Sequence, residues 1–465
     1  MKKYIIYALA FILSSCNDFL DETPKGNLIP ETINDYAGMF NDLFNPIGAN
    51  NSNSMNAVPL EHSNMHDNLT YETVYYPSKI TTRNKWEWNE EIHPSSTQSI
   101  GWNRAYKCIF VCNYIIENID DAEEELNNLY TREYIKAAAK VTRAYVYFHL
   151  VNGYGKHYDA STAATDMSIP MPLESDINIQ HGRSSVKTVY EQIFKDLKES
   201  FDDLPDLPAS SHMPSKAAVY GFYAKLYLYM GDYQKAYENA EACLNIKKSL
   251  IDWNTVPEPS PNFPFVPGYP RNLYADHPEV IWHKAGRGNE TFYNYSDNFV
   301  NSMDKENDLR YVIGVSQFMF ATPVNNLVRA DNYTTGINVG EMFLIAAEGR
   351  TRIGGTDNET KALELLNQLR KNRYKNTWDG LLLKMTSFDD KHTLLDEVLH
   401  ERRIETARQG CRWYDLKRLN REERYRKVIK HRKNDGTFME LSYDSPRYIL
   451  PIPSSVIKQN PLLNK

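Results

Sequence analysis

Apolar side chains recur every three or four residues along much of this chain, which is the spacing of one buried helix face. One such stripe runs from Trp102 to Ile119, and the polar residue Asn113 interrupts it. A second stripe runs from Ala137 to Val151 and should end at Gly153 or Gly155. Each stripe predicts an amphipathic helix. We expect Asn113 to be a hydrogen-bonded core amide, because a buried amide without partners is costly.

Two further helices and a tight turn follow. A helix that begins at a Ser184 or Ser185 cap is predicted to end before Pro205. The next segment, Ser215 to Met230, is apolar on nearly all sides and must therefore lie between other elements. A turn at residues 231–233 then leads into a fifth helix, whose inward residues include Ala236, Ala240 and Leu244.

A glycine turn between two helices that carry small residues where they cross is typical of tetratricopeptide-like hairpins. The pattern returns in the C-terminal half, where helices from Glu341 to Arg352 and from Thr360 to Arg373 flank a turn at residues 354–355. One hairpin cannot bury its own apolar face, so the hairpins must stack on one another. The sequence therefore predicts a mainly α fold, a tetratricopeptide-like helical-repeat scaffold in a single large domain.

Residues 251–335 interrupt this scaffold with a different composition. Six prolines crowd the stretch from Pro257 to Pro270, and tyrosine, asparagine and tryptophan are frequent. We predict no helix in this region, since proline removes a backbone donor and clashes with the preceding turn. Long loops within a compact scaffold are more often functional than incidental. We therefore expect a loop-rich, ligand-binding insertion over about 251–335.

The N-terminus has the pattern of an export signal. Two lysines precede an apolar run from Tyr4 to Leu13, and small residues lead to Cys16. Ten residues of helix rise only about 15 Å, too little for a hydrocarbon core of roughly 30 Å. We expect residues 1–15 to be a signal peptide, Cys16 to be the lipid-modified residue, 16–35 to be a tether and 36–465 to be the folded domain. An ordinary secreted protein with a cysteine near its cleavage site is the alternative.

Charge and cysteine content exclude several classes. The net charge is −7, without a dense basic run, so we expect no binding to nucleic acid. Four cysteines besides Cys16 are too few for a disulfide framework in a chain of this size. Cys108 and Cys112 share a helix face and are predicted to be small buried hydrophobes rather than metal ligands.

Sequence motifs of common enzymes are absent, including the zinc-protease, serine-hydrolase, phosphate-loop and dinucleotide patterns. His62 and His66 are four residues apart and precede Asp67, which resembles a set of metal ligands, but a polar surface is the favoured interpretation. We therefore predict a protein that is not an enzyme and that holds no cofactor and no metal.

Four stretches of sequence carry a family resemblance: residues 16–21, residues 143–155, residues 401–418 with Glu401, Arg402, Glu405, Gly410, Arg412, Trp413, Asp415 and Arg418, and the tail with residues 450–453 and 460–461. Together they resemble the SusD-like (RagB/SusD) family over nearly the whole mature chain. Thr406, Gln409 and Val456 depart from the family pattern. The Glu401 and Glu405 pair resembles a catalytic acid and base, but a structural pair neutralised by Arg402, Arg403, Arg408 and Arg412 is favoured.

The resemblance implies a surface-exposed lipoprotein of the outer membrane, anchored through Cys16. Such a protein binds oligosaccharide or polysaccharide and delivers it to a SusC-like TonB-dependent transporter. A peptide-binding member of the same family is the first alternative. A surface-anchored glycoside hydrolase is the second, because two carboxylates suffice for that chemistry.

A glycan-binding site needs aromatic rings that stack on apolar sugar faces. Five rings lie in irregular stretches where no helical stripe requires them, and they are our candidate ligand-binding residues: Trp86, Trp88, Tyr269, Tyr293 and Tyr295. If the stretch around the two tryptophans is extended, both rings face the same way and form one platform. The alternative buries both rings under the repeat helices.

Overall fold

A computed structural model describes residues 30–42, 61–62, 64–70, 79–257, 277–286, 293–313, 327–328, 333–407 and 409–464. For residues 42, 285–286, 293–294, 327–328 and 333–334 the description is limited to the backbone. The predicted signal peptide and most of the tether therefore lie outside the described residues.

Helices dominate the described part of the chain. In chain order they are α1 (Ile33–Asp42), α2 (Ile80–Trp86), α3 (Ile100–Asn118), α4 (Arg132–Tyr154), α5 (Val186–Ser200), α6 (Lys216–Met230), α7 (Tyr233–Ile246), α8 (Asp297–Val300), α9 (Leu309–Val312), α10 (Val339–Ile353), α11 (Thr356–Lys371), α12 (Leu394–Glu405), α13 (Arg412–Leu419) and α14 (Ser454–Gln459).

Short strands connect distant parts of the chain. They are β1 (Leu69–Thr70), β2 (Met167–Pro170), β3 (Arg183–Ser185), β4 (Val280–Trp282), β5 (Ala285–Gly286), β6 (Tyr293–Tyr295), β7 (Leu327–Val328), β8 (Tyr333–Thr334), β9 (Ile337–Asn338), β10 (Ile429–Arg432) and β11 (Phe438–Leu441). Antiparallel pairing gives one three-stranded sheet, β1-β6-β7, and the pairs β2-β3, β4-β9, β5-β8 and β10-β11.

The predicted helices begin at side-chain caps. Ser99, Thr131, Ser185 and Ser215 each accept a hydrogen bond from a backbone N–H in the first turn of α3, α4, α5 and α6. Helix α4 ends at Gly155, as the sequence predicted. Asn113 is buried and its amide donates to the backbone oxygens of residues 172 and 174, which confirms the prediction of a bonded core amide.

The two predicted hairpins are present and stacked. Gly231 has φ 79°, a left-handed conformation that suits glycine, and the Asp232 side chain caps α7 directly afterwards. Helix α7 packs on both α6 and α10, so hairpin α6–α7 lies against hairpin α10–α11. A Cβ atom on Gly349 of α10 would lie 2.6 Å from the backbone oxygen of Tyr233 in α7. The mainly α, tetratricopeptide-like prediction is confirmed.

One continuous apolar core joins the two halves of the chain. Tyr145 and Phe148 of α4 pack edge to face on Phe222 of α6, with ring centroids 5.9 and 5.4 Å apart. Trp282 of β4 lies in the same core, 5.1 Å from the ring of Tyr145. The inserted region therefore supplies part of the hydrophobic core as well as loops.

The prediction that residues 251–335 contain no helix was wrong. Helices α8 and α9 both lie in this range, and each begins at a capping residue, Ser296 and Asp308 respectively. The prolines that argued against helix end at Pro270, so they do not restrict the later part of the insertion. Residues 258–276, which carry most of those prolines, lie outside the described residues.

Among the helices of the described ranges, none combines the length and the apolar character that a membrane crossing requires.

Candidate functional site

The β1-β6-β7 sheet brings three distant parts of the sequence to one place. Leu69 pairs with Tyr295, and Tyr293 pairs with Val328. The chain continues from these strands into residues 71–78, 287–292, 314–326 and 329–332. The sheet is thus the point at which the loop-rich insertion joins the N-terminal segment. Binding residues tend to lie next to elements that a rigid scaffold positions, and this sheet is such an element.

A cluster of charged side chains surrounds Asp67, two residues before β1. The Asp67 cluster, as we call it, consists of Asp67 with Arg403, Arg412 and Lys427, together with the amides of Asn68 and Asn298. Arg412 binds both carboxylate oxygens of Asp67, with Nε at 2.7 Å and Nη2 at 2.9 Å. The Lys427 ammonium donates to the same carboxylate at 2.6 Å, and Arg403 Nη2 does so at 3.2 Å.

This cluster fixes the segment that leads into the sheet. Arg403 Nε donates to the Asn68 amide oxygen at 2.8 Å. The Ser296 hydroxyl donates to the Asp67 backbone oxygen at 2.7 Å, and the Ser296 N–H donates to that of Asn68 at 2.8 Å. Arg403 and Arg412 belong to the motif of residues 401–418, so that motif positions β1 from a distance of more than three hundred residues.

Cations outnumber the carboxylate in the Asp67 cluster. Burial alone would raise the pKa of Asp67, but Arg412, Arg403 and Lys427 hold that pKa well below its usual value. Burial lowers the pKa of Arg403 to about 10, and it also lowers the pKa of Lys427. In both cases the positive neighbours add to the effect. The cluster therefore carries more positive charge than its own carboxylate neutralises.

The Glu401 and Glu405 pair is part of a different, interior network. The Glu401 carboxylate accepts from Arg310 at 2.6 Å, from Arg370 at 2.8 Å and from the Tyr374 hydroxyl at 2.6 Å. Glu405 is bound by Arg310 at 3.1 Å and by Arg373 at 2.8 Å. Both carboxylates are thus paired with arginines inside the protein, which supports the structural interpretation.

The predicted partners of these two glutamates were wrong. Arg402 instead binds Glu341 at 3.1 Å and Asp415 at 3.0 Å, while Arg403 and Arg412 bind Asp67. Arg408 lies outside the described residues, and α12 ends at Glu405, before Gly410. Side chains at neighbouring positions of a helix diverge, so Arg402 and Arg403 face different neighbouring elements.

The two candidate tryptophans lie in the interior. The rings of Trp86 and Trp88 both stack on His431 of β10, with centroids 3.6 and 4.1 Å from the imidazole. The exposed fractions of Trp86 and Trp88 are 0% and 5%. Trp88 takes φ 52°, a left-handed conformation, and its indole donates to the Met65 backbone oxygen at 3.0 Å. This geometry matches the alternative in which both rings are buried.

The other candidates are placed as follows. Tyr295 is buried, and its ring lies 4.6 Å from that of Phe299. For Tyr293 the structure gives only the backbone, which pairs within the β1-β6-β7 sheet. Tyr269 and Cys16 lie outside the described residues. The sheet thus brings the backbones of Tyr293 and Tyr295 beside β1, while Trp86 and Trp88 lie against β10.

The histidines near Asp67 are buried, so the prediction of a polar surface was wrong. His62 and His66 are 2% and 3% exposed, and burial lowers the pKa of each to about 3. No group of residues suited to hold a metal ion occurs in the described part of the chain. Next to His62, a cavity of about 20 Å³, the size of one water molecule, is lined by Glu61, His149 and Tyr414.

The cysteines of the folded part are buried free thiols. Cys108, Cys112, Cys243 and Cys411 form no disulfide. The prediction that Cys108 and Cys112 are small buried hydrophobes is confirmed. Lys427 and Asn298 were not predicted as site residues, because neither belongs to a stretch with a recognisable pattern and both reach Asp67 or its partners only in the fold.

Known protein families match this chain over nearly its whole length. Residues 18–228 match a SusD-like family model described as starch-binding and associating with the outer membrane, and residues 226–465 match the model of the SusD family. The SusD-like protein P2 of Formosa agariphila is 24% identical over 99% of this chain and 98% of its own length.

Solved structures agree in fold. A SusD superfamily protein of Bacteroides thetaiotaomicron superposes with a TM-score of 0.71 at 20% identity, covering 93% of this chain and 99% of that one. A SusD-like carbohydrate binding protein of Bacteroides vulgatus gives 0.65 at 19% identity, covering 93% and 97%.

Proposed function

Because the chain belongs to the SusD family, we propose that it is a cell-surface lipoprotein that binds oligosaccharide or polysaccharide and delivers it to a SusC-like TonB-dependent transporter. Membership of the family makes it a nutrient-binding protein. The glycan, the lipid anchor at Cys16 and the transporter are the parts that we propose. One neighbour in fold is described as a carbohydrate binding protein, which favours glycan over peptide.

The observation that carries the binding role is the β1-β6-β7 sheet on its helical scaffold. Strands from residues 69–70, 293–295 and 327–328 meet there. Arg403 and Arg412 bind the segment before β1 through Asn68 and Asp67 respectively. A rigid support of this kind limits the entropy that is lost when a ligand binds. The loop-rich insertion is attached at this point, so we place the ligand beside the sheet.

Two tyrosines are the aromatic residues that we propose for sugar stacking. Tyr293 begins β6, and Tyr269 lies in the proline-rich part of the insertion. Trp86, Trp88 and Tyr295 are less suited, because their rings are enclosed by protein. A ring that stacks on a sugar contributes on the order of 1 kcal/mol, so Tyr293→Ala and Tyr269→Ala should each weaken binding about fivefold.

A depletion assay separates a binder from a hydrolase. The purified chain is incubated with a panel of oligosaccharides and peptides, and both the loss of free ligand and the appearance of new reducing ends are measured. We expect sugar to be depleted and recovered intact. New reducing ends would make the protein a glycoside hydrolase, and depletion of peptides alone would overturn the glycan proposal.

Matched variants test the site in the same assay. Tyr269→Ala and Tyr293→Ala should lose affinity with little change in melting temperature. Tyr223→Ala serves as the control, because that ring is partly exposed on α6 of the scaffold, where it stacks on Phe194. Equal affinity in all three variants would contradict the placement of the ligand beside the sheet. Co-purification of a TonB-dependent transporter from solubilised outer membrane tests the partner.

A further inference from the structure

The Asp67 cluster holds three cations around one carboxylate at the edge of the proposed ligand site. No other carboxylate in the described ranges lies within ion-pair distance of Arg403, Arg412 or Lys427. His66 does not add charge, since burial lowers its pKa to about 3. Asp415, which also interacts electrostatically with Arg412, is bound by Arg402 at 3.0 Å and by Arg418 at 2.7 Å. The cluster is therefore left with an excess of positive charge.

The side of the cluster that faces solvent is closed by a neutral amide. The Asn298 side-chain oxygen accepts from Arg403 Nη2 at 3.0 Å and from Lys427 Nζ at 3.1 Å. Asn298 itself is exposed, and the Lys427 side chain is 33% exposed. Two cationic donors thus converge on one exposed, uncharged oxygen. An anionic oxygen at that point would receive the same two hydrogen bonds and would add the charge that the cluster lacks.

The location connects this point to the proposed ligand. Asn298 lies in α8, two residues after the Ser296 that binds the backbone next to β1. The cations approach the same segment from α12, α13 and the residues before β10. Asn298 follows the end of β6 at Tyr295 by three residues, so a molecule held beside the β1-β6-β7 sheet would lie close to it. Displacement of the Asn298 amide needs only a side-chain rotation, because Asn298 lies on the exposed side of this one-turn helix, whose Phe299 and Val300 are buried.

We propose that Arg403 and Lys427 form an oxyanion subsite, in which a carboxylate or sulfate group of an acidic glycan displaces the Asn298 amide oxygen. The assignment to a glycan rests on the proposed function, whereas the oxyanion site rests on the geometry alone. Arg412 is a positioning residue in this arrangement, since it holds the Asp67 carboxylate that orients the other two cations.

Inorganic sulfate tests the site without knowledge of the glycan. The melting temperature is followed against sulfate concentration, with chloride at equal ionic strength as reference. Sulfate should raise the melting temperature of wild type more than that of Lys427→Gln or Asn298→Asp. The first variant removes a donor, and the second supplies an internal carboxylate. Lys430→Gln, which removes an exposed lysine paired with Glu440 on the neighbouring strand, is the control and should behave as wild type.

General salting effects of sulfate are shared by all four proteins and cancel in this comparison. Equal gains in all four would overturn the oxyanion site. Asn298→Asp also protects against a misleading result from misfolding: we expect it to melt at a higher temperature than wild type in chloride while it loses the response to sulfate. If Asn298→Asp melts at a lower temperature than wild type in chloride and keeps the response to sulfate, that result would count against the site.

Paired oligosaccharides test the glycan. Oligogalacturonates are compared with their methyl esters, and sulfated oligosaccharides with their desulfated forms, by calorimetric titration. We expect the acidic member of at least one pair to bind about tenfold more tightly, and Lys427→Gln to remove the difference. Equal affinity within every pair that binds would overturn the acidic-glycan inference and leave the proposed function intact. Binding of an acidic peptide that depends on Lys427, with no sugar bound, would retain the oxyanion site and overturn the proposed function.

Discussion

Glu405 shows how charged residues are used inside this protein. Its two arginine partners, Arg373 and Arg310, lie 32 and 95 positions away along the chain. From the sequence, burial and a structural role could be predicted for Glu405, because it lies on a helix next to arginines. Its partners could not, since helix spacing suggests neighbours on the same element and tertiary packing supplied others. The same reason explains why Asp67 was missed as the centre of a cationic cluster.

Replacement of Glu405 should therefore destabilise the fold rather than the ligand site. We expect Glu405→Ala to lower the free energy of unfolding by about 3 to 5 kcal/mol, because Arg310 and Arg373 lose a buried partner. Urea unfolding measures this loss. Asp357→Ala is the control: it removes an exposed pair with Lys361, so the free energy of unfolding should stay close to that of wild type. Lost ligand affinity at unchanged stability would make Glu405 a binding residue instead.

The burial of His431 between two tryptophan rings should make the stability of the fold sensitive to acid. Burial lowers its pKa to about 4, so the unfolded chain takes up this proton first as the pH falls below about 6.5. The contribution of His431 to stability is complete above that pH and is lost as the pH falls from about 6.5 to about 4. We expect this residue to account for about 3 kcal/mol of the loss. Unfolding measured across this range should be less pH-dependent in His431→Asn, and an identical pH dependence would contradict the assignment.

At the scale of elements, the helices were predictable and their contacts only partly so. The periodicity of apolar residues, with a serine cap for α5, located α3 to α7 to within a few residues, because these signals are local. The one-turn helices α8 and α9 were missed, since four residues are too few to show a period. The stacking of the hairpins followed from their exposed apolar faces, but the glycine that allows their close approach did not stand out.

Gly349 is expected to set the distance between α7 and α10. A Cβ atom there would lie 2.6 Å from the Tyr233 backbone oxygen and 2.9 Å from the Tyr237 Cβ, so Gly349→Ala should cost about 1 to 3 kcal/mol. Gly38→Ala is the matched control, because nothing lies within 4 Å of the added atom on α1. That variant should gain about 0.5 to 1 kcal/mol. Thermal melts that rank the two variants in the opposite order would contradict this view of the interface.

At the scale of the whole molecule, family and architecture could be predicted from a few motifs, whereas the contacts of the candidate tryptophans could not. The motif of residues 401–418 is specific because its side chains hold together α10, α12, α13 and the segment before β1. Such constraints leave a recognisable pattern. Tryptophans in irregular sequence gave no comparable signal, since Trp86 and Trp88 are buried by β10, which lies more than three hundred residues away.

The proposed lipid anchor at Cys16 is tested on the whole molecule. We expect Cys16→Ser to remain in the soluble fraction or as unprocessed precursor, because the thiol that accepts the lipid is gone. Fractionation of cells that express each form measures the difference. Retention of the variant in the outer membrane would contradict the anchor. The purified variant should bind ligand with the affinity of wild type, since Cys16 is not among the residues that we propose for ligand binding.

The buried thiols make this chain convenient for site-directed labelling. The pKa values of Cys243 and Cys411 are raised by burial to about 12, so these thiols offer little thiolate to maleimide reagents, and Cys108 and Cys112 are enclosed in the core. A chain shortened to begin after Cys16 can keep these four native cysteines. A cysteine introduced at exposed Asp297 would then carry a fluorophore or spin label beside Asn298. The arrival of each ligand could be followed in real time from that single position.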